Sequence, residues 1–255
     1  MATIWFQAIM SVVAVSVVSL IGAITLSLQI ARLKKIVFAL VALAAGALFG
    51  DVIIHIIPKL FESGVAPKIS GLFLLIGILT FFILEKFLHW SHQHEMNECV
   101  EPGHNHPPMS LGKLNLTADG LHNFIDGLII GASYLVSPGV GLATTFAVIL
   151  HEIPQEIGDF GILIHAGFTV KKALLFNLLS ASLAIFGTII ALMLGSQVTV
   201  FGTYLLAVAG GGFLYIAGSD LLPELQKTTE VKKSLIQFLA MLVGIGLMFA
   251  LLLFE

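Results

Sequence analysis

Between Lys113 and Lys171 the sequence carries Asp119, Asp126, Glu152, Glu156 and Asp159, and no Lys or Arg at all. His122, Asn123, His151 and Gln155 are interleaved with these acids, and the spacing is helical. Asn115, Asp119, His122, Asn123 and Asp126 recur at steps of three and four, which gathers them on one stripe of a helix. His151 and Gln155 are four apart, as are Glu152 and Glu156, with Asp159 a further turn along. Imidazole nitrogen with carboxylate and amide oxygen, and no thiolate, is a donor set for Zn2+, and also for Cd2+, Fe2+ or Mn2+; Ca2+ and Mg2+ prefer oxygen alone. The supply exceeds one tetrahedral shell, so two adjacent metal positions are expected, with Glu156 shared between them. Asn115 and Asp119 are open to a second reading, as hydrogen-bonding glue between helices.

The elements that position these residues lie in a membrane. The chain has 255 residues, 58% of them hydrophobic and 11% charged, against about 25% charged in soluble domains. Its mean hydropathy is +1.03. Apolar runs near 4–30, 36–57, 69–89, 114–134, 141–165, 173–194, 198–222 and 235–254 are each long enough for a helix to cross the hydrocarbon core. The expected fold class is therefore all-α: a polytopic membrane protein of eight transmembrane helices, in a single domain over 1–255. Continuous runs of this length exclude a β-barrel. An ionised group near the bilayer centre costs at least about 2.5–3.5 kcal/mol, so five acids in the fourth and fifth spans require protons, partners or a bound cation. Pro154 removes a backbone hydrogen bond in mid-span and frees the carbonyl of Leu150, an expected kink beside the site.

The first run has no basic segment before it and is too long for a signal-peptide core, so it is expected to stay as a span. Ten basic residues (Arg32, Lys34, Lys35, Lys86, Lys113, Lys171, Lys172, Lys227, Lys232 and Lys233) flank the odd-to-even connections, while only Lys59 and Lys68 flank any other. Positive charge collects on the cytoplasmic side, which puts both termini outside. Cys99 is the only cysteine, so no intramolecular disulfide forms.

One connection is long and polar, about 90–112, and it holds His92, His94, Glu95, Glu98, Cys99, Glu101, His104 and His106. It reads either as a weak metal-binding tract or as a solvated loop. Gly50-Asp51 with His55 and Pro58 closes the second span, and Gly218-Ser219-Asp220 with Pro223-Glu224 closes the seventh. This faint match fits a 3+2+3 inverted repeat, with spans one to three related to six to eight around the central pair.

At the central residues the sequence resembles the ZIP family of metal transporters. His122-Asn123-Phe124-Ile125-Asp126-Gly127 is similar to the family's HNxxDG motif, and His151-Glu152-Ile153-Pro154-Gln155-Glu156-Ile157-Gly158-Asp159 to its HExPxExGD motif. The resemblance implies uptake of divalent metal, zinc first, toward the cytoplasm. It implies a two-metal centre with His122, Asp126, His151 and Glu156 at one position and Asn123, Glu152 and Glu156 at the other. Asp51 and His55 would belong to the transport pathway, together with Asn115, Asp119 and Asp159. One departure is Gln155 where many members have His, which offers a neutral oxygen in place of nitrogen at the metal site. No His-rich extracellular domain of the eukaryotic kind is present, which leans toward a bacterial inner-membrane protein.

The implied partners are divalent metal ions and the lipid bilayer, with no nucleic acid and no enzymatic cofactor. Gly210-Gly211-Gly212 offers a small-residue face that pairs helices, either within the chain or between the copies of a homodimer. Two rival functions are an intramembrane zinc protease, which the His151-Glu152 opening suggests, and a proton-coupled carrier of an organic solute. The protease reading lacks the second His of HExxH, because Gln155 stands there. Metal transport is expected to weaken as pH falls through the imidazole range near about 6.5, since protons compete for the ligands.

Overall fold

The computed structural model describes residues 2–25, 30–98, 109–195 and 201–254, and among these every regular element is helical. Eight helical segments follow one another: α1 (2–25), α2 (30–62), α3 (Pro67–Glu98), α4 (Met109–Val136), α5 (Pro138–His165), α6 (170–195), α7 (201–226) and α8 (231–254). Helices are what an apolar chain must form in lipid, because each helix satisfies its own backbone polar groups. Six of them are long and apolar enough to cross a membrane: α1, α2, α3, α6, α7 and α8. The other two, α4 and α5, are as long but carry Lys113, Asp119 and Asp126, and Glu152, Glu156 and Asp159.

Local chemistry sets several helix ends. Pro138 opens α5 behind Ser137, whose Oγ accepts from the Val140 amide, and Thr169 caps α6 through the Lys172 amide. α5 stops at a paired turn in which Phe168 N–H reaches Leu163 O and Gly167 N–H reaches Ile164 O. That geometry needs the left-handed backbone Gly167 adopts at φ 89°. The polar connection is shorter than the expected 90–112: α3 stays helical to Glu98 and α4 begins at Met109. Cys99, Glu101, His104 and His106 lie outside the described residues, as do 26–29 and 196–200.

Helix pairs close through glycine. A Cβ on Gly46 of α2 would lie 2.2 Å from Met241 O of α8, and one on Gly244 of α8 would meet Leu43 O at 2.2 Å. The same reciprocal contact joins α3 and α7, with Gly77 against Val208 O at 2.1 Å and Gly211 against Leu74 O at 2.0 Å. Gly127 of α4 and Gly187 of α6 do likewise, and Thr188 Oγ1 donates to Gly127 O at 2.9 Å. Backbones this close give dispersion contact that lipid tails cannot match. Gly210, Gly211 and Gly212 are used here too, against Ile56, Leu74 and Phe81, so the triplet packs within the chain rather than offering a face to a second copy.

The windows of α3 and α8 are each only 17% buried, whereas those of α2 and α7 are 56% and 50% buried. α2 and α7 therefore stand inside the bundle, in contact with α5 and α4 respectively, while α3 and α8 form its flanks. Leu79, Phe238 and Phe249 are among the large apolar side chains that point outward from those flanks. Both inner helices contain a π-turn, Asp51–Ile56 in α2 and Ile216–Leu221 in α7, and each is followed at once by a segment with proline at its start. A π-turn frees backbone groups and re-aims side chains, and it is frequent at functional sites.

Candidate metal centre

The stripe on α4 and the stripe on α5 face each other. Their first meeting point is His122 and Asp126 with His151 and Glu152. His151 Nε2 lies 3.1 Å from Asp126 Oδ2 and 3.4 Å from Glu152 Oε1. His122 Nε2 lies 3.3 Å from Glu152 Oε1, 3.7 Å from Asp126 Oδ2 and 3.4 Å from His151 Nε2. The donors of a tetrahedral ion with bonds of about 2.0–2.1 Å are roughly 3.3 Å apart, so these four atoms have the spacing of such a shell. All but His122 are almost wholly buried; the His122 side chain is 19% exposed.

The protonation pattern favours a cation. His151 Nδ1 is 3.1 Å from Ala147 O, and only an N–H can face a carbonyl. In the neutral ring Nε2 then carries a lone pair, which points at two carboxylate oxygens. Lone pair against carboxylate is repulsive until a proton or a metal ion stands between them. A carbonyl holding the far nitrogen is also how metal-ligating histidines are usually oriented. Phe213 of α7 stacks edge-on to His151, with ring centroids 5.9 Å apart, and keeps water from that side.

One turn toward the α4 N-terminus, about 6 Å along the helix, a second group collects. Asp119, Glu156 and Asp159 each place a carboxylate oxygen within 4.8 Å of the others. Asn123 bridges the two groups: it follows His122 in sequence, and its Nδ2 donates to Asp119 Oδ1 at 2.8 Å and to Asp119 O at 3.2 Å. Asn115 Nδ2 donates to Asp159 Oδ1 at 3.1 Å. Asn177 of α6 donates through Nδ2 to Glu156 Oε2 and to Ser19 O. Buried oxygens remain without any hydrogen-bond partner: Asn123 Oδ1, Asp126 Oδ1, Asp159 Oδ2 and Asn177 Oδ1. Acceptors orphaned in this number, in a stretch without Lys or Arg, are costly unless a cation serves them.

The grouping differs in one respect from the ligand sets expected from the sequence. Glu152, not Glu156, stands with the two imidazoles and Asp126, while Glu156 joins Asp119 and Asp159. Glu152 follows His151 directly and shares its height on α5, whereas Glu156 is a full turn away. Gln155 is half-buried and stands one turn along α5 from His151, with which it lines a cavity that also includes Pro154 and Asp220. Asp51 and His55 stand apart from both groups. Asp51 Oδ2 accepts from Thr144 Oγ1 at 3.1 Å, and His55 Nε2 is 2.8 Å from Met248 O.

Three participants were not among the expected site residues: Asn177, Glu85 and Asp220. A single Asn inside the apolar sixth run was a usable signal for the first. Asp220 lines two cavities, one of about 120 Å3 that reaches His122 and also holds Glu85 and Tyr215, and one of about 170 Å3 that reaches His151. Tyr215 O–H donates to Glu85 across the α3–α7 interface.

Comparison with known proteins bears on the family. The profile of a family described as ZIP Zinc transporter matches residues 2–113 and 101–252. Among curated relatives, a Drosophila melanogaster protein named zinc transporter ZIP13 homolog is 33% identical, over 84% of this chain and 77% of its own length. Zinc transporter ZIP13 of Pongo abelii is 35% identical over 82% of this chain and 65% of its own, and zinc transporter SLC39A7 of Rattus norvegicus is 30% identical over 85% and 65%. The chain thus spans about two thirds to three quarters of the length of these relatives. With the family profile covering nearly the whole sequence, and with six helices fit to cross a membrane, the chain belongs to the ZIP family of transporters and is an integral multi-pass membrane protein.

Proposed function

We propose that this protein carries divalent metal ions, zinc foremost, across a membrane into the cytoplasm through the centre between α4 and α5. The observation that carries this reading is the set of four atoms, two imidazole nitrogens and two carboxylate oxygens, turned toward one another at 3.1–3.7 Å. With both rings neutral, two carboxylates balance one divalent charge. His122, Asp126, His151 and Glu152 would hold the ion, with Asn123 and Glu156 next along the path. Gln155 would meet it from the cavity beside Pro154, while Asp51 and His55 serve the approach from the other side. Among candidate ions, nitrogen-bearing shells favour Zn2+ and Cd2+ over the harder Mn2+.

The protease alternative lacks the second His of HExxH, since Gln155 stands at that position, and the second imidazole of the centre comes instead from His122 of α4. The organic-solute alternative has less in its favour, because the cavities that reach His122 and His151 hold only about 120 and 170 Å3.

The same reading has α4 and α5 crossing the bilayer, which makes eight spans, and has the flanking helices arranged as an inverted repeat. In its support, one constant offset carries Gly46, the π-turn Asp51–Ile56 and Pro58 of α2 onto Gly211, the π-turn Ile216–Leu221 and Pro223 of α7. The basic residues orient the α3–α4 connection and the Asp220 end of α7 toward the cytoplasm. The relatives above are animal proteins and lend no support to a bacterial origin.

The test is uptake of radioactive zinc into proteoliposomes, with cadmium, iron and manganese as competitors. Saturable uptake is expected in the wild type, and loss of it in His122→Ala and His151→Ala at unchanged protein incorporation. Zinc transport retained in both variants would overturn the assignment.

A further inference from the structure

We infer that the start of α4 and the start of α6 together hold an anionic phospholipid, its phosphate between Lys113 and Lys172 and its acyl chains along the outer face of α6. The inference goes beyond metal transport and shares with that reading only the orientation of the chain in the membrane.

The turn between α5 and α6 makes the cavity. Gly167, in its left-handed conformation, lets Phe168 fold back against the start of α4, where a Cβ on Gly112 would lie 2.7 Å from the Phe168 ring. Phe168 then meets Phe176 edge-on, with ring centroids 5.7 Å apart. These rings and Leu116 wall a cavity of about 460 Å3, and Lys113, Thr169 and Lys172 supply its polar side.

Charge sets the class of ligand. Lys59, Lys227 and Lys233 each pair with a Glu three residues away. Lys113 and Lys172 make no ion pair among the described residues, and the chain has no Asp or Glu at all from 160 through 219. Two ammonium groups from different helices therefore border one cavity whose wall holds no carboxylate. Like charges brought together repel unless an anion stands between them.

The surface beyond the cavity says which anion. Phe176, Leu179, Leu183, Phe186 and Ile190 recur at steps of three and four, and all are exposed. An apolar stripe thus runs from the cavity along α6. A soluble phosphate would engage the lysines and leave the stripe unused, whereas a phospholipid engages both. The basic residues orient this end of α4 and α6 toward the cytoplasm, the leaflet in which anionic lipids meet basic pockets between transmembrane helices.

The experiment is native mass spectrometry of the purified full-length chain in detergent, offered equimolar phosphatidylglycerol and phosphatidylcholine. The wild type is expected to keep one phosphatidylglycerol after phosphatidylcholine has been stripped away. Lys113→Gln/Lys172→Gln should bind it roughly 30-fold more weakly, and Lys172→Gln alone about fivefold, the effect of each lysine near an anionic headgroup. Lys227→Gln/Lys233→Gln removes the same charge from the same side of the membrane and is expected to keep the lipid. Glycerol phosphate at equal concentration should not displace it. All four lysines are exposed, so folded protein is expected of every variant, with thermal unfolding as the check. Equal retention of the two lipids would overturn the inference, as would undiminished binding in Lys113→Gln/Lys172→Gln or equal weakening in Lys227→Gln/Lys233→Gln. Displacement by glycerol phosphate would overturn it in favour of a free phosphate. Zinc plays no part in these readouts, so failure of zinc uptake would strike the transport reading alone.

Discussion

The π-turn of α2 and the π-turn of α7 have the same length, the same trailing proline and opposite surroundings. In α2, Asp51 and His55 are buried at 0% and 1% exposure, the first held by Thr144 and the second by Met248 O. In α7, Gly218, Ser219 and Asp220 are exposed, and Asp220 borders the cavities that reach His122 and His151. The two ends thus differ: the one at α2 is packed shut and the one at α7 is open. What closes the α2 end is specific hydrogen bonding and apolar packing, with Ile56, Phe213 and Met248 fully buried there. An inverse state, with α2 open and α7 packed, is the natural partner of this one for a protein that moves ions.

The comparison can be broken most forcefully at the glycines that let each inner helix meet its flank. Gly46→Leu and Gly211→Leu each drive a side chain into a carbonyl oxygen of the facing helix, 2.2 and 2.0 Å from where the Cβ must stand. Overpacking of this kind typically costs about 1–3 kcal/mol and more where backbone cannot yield. Both variants are expected to lose most folded protein in detergent, measured by size-exclusion chromatography and thermal unfolding. Tolerance of one and not the other would mean that the two halves are not equivalent.

Accessibility sharpens the same contrast. In a Cys99→Ser background, Asp220→Cys should react with a water-soluble maleimide more than about tenfold faster than Asp51→Cys, the ratio that 1.4 kcal/mol of opening free energy sets. Equal rates would mean that the α2 end is as open as the α7 end. A similar effect is expected from Thr144→Val, which removes one donor to Asp51 and should cost about 1.5 kcal/mol, the low end for a hydrogen bond to a charged group. The same variant should raise maleimide labelling of Ile54→Cys in the α2 π-turn, and unchanged labelling would mean that the Thr144 bond does not help shut this end. The smallest effect belongs to Tyr215→Phe, which removes the hydrogen bond to Glu85 at the open end and should shift unfolding by about 0.5–1.5 kcal/mol. A larger loss there would show that the open end is held as firmly as the closed one.

Much of the molecule was legible in its residues because membranes leave few choices. Apolar runs of spanning length can only be helices in lipid, and a stretch of five acids without a single basic residue can only be tolerated around protons or cations. The spacing of His122 with Asp126, of His151 with Gln155 and of Glu152 with Glu156 places each pair on one helical face. The motif at each pair also indicated the family. The extent of the polar connection was less legible, since α3 continues through Trp90 to Glu98 on residues whose polarity resembles that of a loop.

What only the tertiary structure decided was which acids share a neighbourhood. Helical spacing assigns a face, but not the height at which two facing helices meet. Register between α4 and α5 depends on partners outside the two motifs, including Gly187 of α6, which packs against Gly127, and Asn177 of α6, which bonds to Glu156. That register put Glu152 among the imidazoles and Glu156 among the carboxylates. It also put Asp220, remote in sequence, at the mouth of the path, because long-range contacts in a bundle depend on how helices are stacked rather than on any local pattern.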